Sequence, residues 1–151
     1  MRIPLRRGMT LIEVIVAVAL FVTLFLALLG ILRVSLQLSA LAKAKAVAVE
    51  LASTQMEYLR GLPYASLGTV GGTPSGTIPQ TSTSTVNGVD YPVRTHIVYY
   101  DDSADGTEGS DTNGIRTDYK KAKVTVTYSV SGRTGRVTLA SNFAPADVET
   151  P

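Results

Sequence analysis

Hydrophobic positions along this chain fall into three regimes: an unbroken apolar run, a stretch at helical spacing, and segments that alternate. The apolar run extends from Met9 to Leu32, and Glu13 is its only charged residue. At about 1.5 Å per helical residue it reaches about 36 Å, enough to cross a bilayer core of about 30 Å with some tilt. Val14 to Val18 is rich in β-branched residues, which disfavour a soluble helix; in lipid the backbone must satisfy itself, so helix is forced there. From Arg33 to Arg60 the pattern turns amphipathic. Ala44, Val47, Leu51, Tyr58 and Leu62 follow i+3/i+4 steps and predict one apolar face, with Lys43, Lys45, Glu50, Glu57 and Arg60 on others. Gly61 and Pro63 form a stop signal. The pattern therefore predicts a helix over residues 9–62, transmembrane over 9–32, whose outer half is the spine for a head over 63–151.

Beyond the helix, Gly68 to Gly88 is dominated by Gly, Ser, Thr and Pro and reads as a long exposed connection, a bare loop or one carrying O-linked glycans. Val89 to Tyr100 alternates, with Val93, Ile97 and Tyr99 on one face and Arg94, His96, Val98 and Tyr100 on the other; Pro92 pushes this strand toward an edge or delays its start. Val124, Val126, Tyr128 and Val130 alternate with Thr125, Thr127 and Ser129. A turn over Ser131 to Gly135 then returns through Val137, Leu139 and Phe143, which predicts a hairpin. Its apolar face would pack on the helix and leave a Thr/Ser face outside. Ala144 to Pro151 is a polar tail.

A carboxylate inside a membrane helix costs about 2.5–3.5 kcal/mol and calls for a partner. Cleavage between Gly8 and Met9 would create an ammonium at Met9, about one turn from Glu13, able to pair with the carboxylate of its own chain or of a neighbour. The run Arg6-Arg7-Gly8-Met9-Thr10-Leu11-Ile12-Glu13-Val14 resembles the class III leader junction of type IV prepilins and type II secretion pseudopilins. The resemblance covers Arg6 to Leu32 at the level of motif; the head matches only in architecture. It implies leader removal (residues 1–8) by a membrane prepilin peptidase, N-methylation of Met9, and Glu13 as the assembly glutamate. It also implies other pilin or pseudopilin subunits and an inner-membrane assembly platform as partners. The expected fold is α+β, a pilin-like lollipop with one long N-terminal helix packed on a small antiparallel sheet. Expected localisation is the cytoplasmic membrane with a cytoplasmic N-terminus, then an extracytoplasmic filament. Arg2, Arg6 and Arg7 agree with that orientation, although Arg33, Lys43 and Lys45 nearly balance them. Met9 as first mature residue, the small head and the Thr/Gly-rich loops resemble minor more than major pilins.

Two other readings compete. An ordinary secretory signal would be cut after Ala40-Leu41-Ala42, but its apolar run would be too long. A plain signal anchor would carry a binding module that does not polymerise.

Charge and composition add less. The net charge is +2 with the basic residues scattered, and there is no cysteine, so neither disulfides nor thiolate metal sites are available. Many pilins close a C-terminal loop with a disulfide; this chain cannot. The acidic segment 101–118 holds Asp101, Ser103 and Asp105 before Gly106, resembling the first half of an oxygen-ligand calcium loop, with Asp111, Asn113 and Asp118 as further ligands. Thr112 stands where a bidentate glutamate is needed. Some pseudopilins bind calcium in a loop before their last strands, so calcium and a solvated turn-forming loop both stay open. No other cofactor is expected. Lys120, Lys121 and Lys123 form a candidate DNA-backbone patch, or a hairpin edge blunted by charge; a secreted substrate is the other candidate cargo. His96 is alone on a strand, no phosphate-cradling motif is present, and the chain is expected not to be an enzyme.

Overall fold

A computed structural model describes residues 8–101 and 119–145. The chain is α+β: a helix α1 over Leu11–Arg60, a 3-10 turn over Tyr64–Ser66, and strands β1 (Thr81–Val86), β2 (Val89–Tyr100), β3 (Tyr119–Val130) and β4 (Arg133–Phe143). All neighbours are antiparallel, in the order β1-β2-β3-β4. The molecule divides into two compact units, Met1–Ala40 and Leu41–Pro151, and α1 contributes to both.

In the first unit α1 exposes its apolar side chains, among them Ile12, Leu20, Phe21, Leu24 and Leu28. It has the length and composition to cross a membrane. Among the described residues nothing covers these side chains, which fits a segment whose solvent is lipid. The helix runs unbroken through Gly30, where an added Cβ would meet nothing within 4 Å.

The second unit has the core. Its helical face matches the expected one only in part: Ala44 is buried as expected, Val47, Leu51 and Leu62 flank the core, Tyr58 is exposed, and Ala48, Ala52, Met56 and Leu59 are buried instead. Ala44, Ala48 and Ala52 stand in four-residue steps on this face. Hydropathy undervalued Ala48 and Ala52, because alanine buries little area of its own. Tyr91, Val93, Ile97, Ala122, Val124, Val126 and Tyr128 complete the core from β2 and β3. Replacing Ala48 by leucine is expected to overpack this face and destabilise the unit by about 1–3 kcal/mol, seen as a lower denaturation midpoint. An unchanged midpoint would mean the helix has room to lift.

Four further expectations are corrected. Residues 68–88 are not simply an exposed connection. Leu67, Thr69 and Ile78 are buried, and the backbone bonds to itself through Thr69 N to Pro74 O (3.1 Å), Val70 N to Ile78 O (2.9 Å) and Ile78 N to Gly68 O (3.3 Å). A Cβ on Gly68 would collide with the backbone of Ser75, and one on Gly76 with that of Gly68, so glycine here serves close approach. Thr81 to Val86 then forms β1, turned into β2 at Asn87-Gly88, both at positive φ (51° and 76°). Pro92 is not at an edge, since β1 covers that side; it pairs with Thr83 just outside the β2–β3 register, which begins at Val93. Tyr99 is exposed, and Thr95 takes the inward position between Val93 and Ile97, accepting a bond from Gln55 Nε2 at 3.4 Å. The β3–β4 turn is shorter than expected, two residues at Ser131-Gly132 (φ 50° and 77°), with β4 starting at Arg133.

Candidate functional site

The sequence motif lies at the start of α1. Gly8, Met9 and Thr10 precede the first helical residue, Leu11. A Cβ on Gly8 would meet nothing within 4 Å, and Met9 is exposed. Thr10 is the N-cap: its Oγ1 accepts a bond from Glu13 N at 3.4 Å, and its carbonyl accepts the first helical bond from Val14 N at 3.2 Å. Thr10-x-x-Glu13 has the spacing of a capping box, a signal that the sequence reading missed. Glu13 thus stands at the third helical position, in the first turn of α1 and exposed. There the positive end of the helix dipole favours a carboxylate. An ammonium at residue 9 would add a second positive centre in the same region. The arrangement can therefore hold a negative charge in the first turn of an otherwise apolar helix and present it outward, to lipid or to a neighbouring chain.

Of the candidate calcium ligands, Asp101 lies directly after the end of β2. Ser103, Asp105, Asp111, Asn113 and Asp118 lie outside the described residues. Among the described residues, no three His, Cys, Asp or Glu side chains group as a metal site would require.

The lysine cluster is split by the pleat, and β3 is an interior strand, so the charged-edge reading fails. Lys120 points inward and is only 3% exposed. Its Nζ donates to the carbonyls of Tyr64 and Leu67, each at 2.8 Å, and lies 4.5 Å from the centre of the Tyr64 ring. Desolvation lowers its pKa below the ordinary 10.5. This side chain ties the segment after α1 to the sheet and cannot contact DNA. Lys121 and Lys123 point outward, Lys121 lying 5.4 Å from the centre of the Tyr100 ring. His96 is exposed, opposite Lys123 in register.

Against known proteins, residues 4–29 match a family model described as the prokaryotic N-terminal methylation motif. No curated protein and no solved structure matches the chain.

Proposed function

We propose, from the match of residues 4–29 to the prokaryotic N-terminal methylation motif and from the long helix and antiparallel sheet that follow it, that the chain carries a class III prepilin leader and is a structural subunit of a type IV pilus-like or type II secretion pseudopilus filament. In this reading a prepilin peptidase cuts between Gly8 and Met9, the Met9 amine is methylated, and α1 anchors the subunit in the cytoplasmic membrane until assembly. Each Glu13 then pairs with the terminal ammonium of a neighbour, and the apolar helices bundle as the filament core. The observation that carries the reading is a single carboxylate, within the methylation motif, in the first turn of a helix whose apolar side chains are exposed among the described residues. The small sheet unit favours a minor subunit, initiating or tip-associated, over an abundant one. Calcium in the 101–118 segment would be a structural ion of the sheet unit.

The test is the mass of the N-terminal peptide from cells with and without the peptidase. A methylated Met9 terminus that vanishes with the peptidase supports the proposal, and an intact Met1 in both strains sinks it. A terminus at Lys43 would mean a secreted head. The variant Gly8→Val is expected to retain the leader even with the peptidase present, because a β-branched side chain obstructs close approach of the backbone to an active site.

A further inference from the structure

The outer face of the sheet gathers cations that are far apart in sequence. Arg94 on β2, Lys123 on β3 and Arg136 on β4 line a groove of about 310 Å³, together with His96 and Thr125. The register explains the grouping. Arg94 lies opposite Thr125, which lies opposite Thr138; His96 lies opposite Lys123; Arg136 lies opposite Thr127. Thr125 therefore sits among the cationic side chains of the groove lining, with Thr138 beside it in register. Thr125 and Thr138 already share a hydrogen bond at 3.2 Å between their hydroxyls. No described carboxylate pairs with Arg94, Lys123 or Arg136. On the same face Asp90 stands at the far end of β2, where it accepts a bond from Thr85 at 2.6 Å.

We infer that this face is a docking surface for nucleic acid, gripped by its phosphate backbone. Three cationic side chains with no described carboxylate paired to them favour a polyanion by charge complementarity. Strand spacing and pleat put the Cα atoms of Arg94 and Arg136 about 12 Å apart. A duplex carries one negative charge per about 1.7 Å of axis, so several phosphates face the cluster at once, where a single small anion would not span it. Arginine forks and threonine hydroxyls are donors of the kind that bind phosphate oxygens. Among the described residues, the groove lining offers no apolar side chain for insertion into lipid. Readout of base sequence is not part of this surface, because the contacts go to the backbone. The inference does not depend on filament assembly and is tested on the dispersed chain.

The experiment titrates the full chain, in a neutral detergent, against a short fluorescein-labelled DNA duplex at several salt concentrations. Three neutralised phosphates predict a log–log salt slope of about −2.7. The double variant Arg94→Ala, Arg136→Ala should lose about tenfold in affinity or more and flatten the slope by about 2. The control variant Lys43→Ala, Lys45→Ala removes the same charge from an exposed stretch of α1 and should leave affinity within about twofold. Equal losses in the two variants, or no salt-dependent binding, would overturn the inference. So would Arg94/Arg136-dependent binding to phosphatidylglycerol vesicles without binding to the duplex, which would assign the face to a membrane surface.

Discussion

Replacing Glu13 by alanine is expected to leave leader cleavage intact and to abolish filament assembly. The proposed cleavage junction precedes the helix, and Gly8, Met9 and Thr10 are unchanged by the substitution. What is lost is the charge. A carboxylate in an apolar helix costs about 2.5–3.5 kcal/mol on insertion. Alanine removes that cost, so the variant enters the membrane more readily than the natural chain, and a failure to assemble cannot be blamed on insertion. A fall of about 3 kcal/mol in pairing at each subunit interface corresponds to more than a hundredfold in an association constant. The variant should accumulate in the membrane fraction and vanish from filaments sheared off the cell.

The capping-box spacing of Thr10 and Glu13 makes glutamine the sharper substitution. Glu13→Gln keeps an acceptor able to close the box and loses only the charge. If Glu13 acts by pairing with a neighbour's ammonium, glutamine should fail as alanine does. Should the glutamine variant assemble while the alanine variant does not, Glu13 is a helix cap and the pairing mechanism is wrong. Wild-type amounts of filament from both would remove Glu13 from assembly altogether. The readouts are an immunoblot of the sheared fraction and the terminal mass.

The long helix was legible because it obeys a local rule: an apolar run of sufficient length needs no knowledge of the rest of the fold. The same holds for Gly61, for Pro63, and for the alternation in β3. What was not legible depended on partners. Thr81 to Val86 has almost no apolar side chain to bury, and it is a strand because β2 offers it an unpaired edge. Its turn, Asn87-Gly88, was a readable signal inside a stretch taken for a loop. Ala48 and Ala52 looked weaker than the leucines and valines beside them, yet they continue the buried stripe that Ala44 begins. Arg94, Lys123 and Arg136 show no pattern in sequence, since only the register of three strands brings them together. Lys120 was misread for the opposite reason: adjacency to Lys121 suggested a shared solvated role, whereas a strand sends neighbours to opposite faces.

Lys120 is accordingly a residue whose loss should cost the sheet unit measurably. Methionine keeps the apolar stem and removes the ammonium, so the buried carbonyl of Leu67 loses this donor, while the carbonyl of Tyr64 keeps the Leu67 N–H at 3.2 Å. At about 1–3 kcal/mol for a buried acceptor left unsatisfied, Lys120→Met should destabilise the unit by about that amount. At roughly 4–8 °C per kcal/mol for a domain of this size, the melting temperature of the full chain should fall by about 4 °C or more. The pH dependence has a definite sign. Desolvation depresses the pKa of Lys120 below 10.5 in the folded state. Between that lowered value and 10.5 the unfolded chain therefore binds more protons, and folding gains stability as pH rises. A neutral amine still donates two bonds, so the contacts survive deprotonation. The stability gap between wild type and Lys120→Met should thus widen as pH climbs toward 10.5. Circular-dichroism melts of both chains in detergent at several pH values measure it. A gap that narrows on the way up would show that the carbonyls and the Tyr64 ring hold the charged form more strongly than burial opposes it.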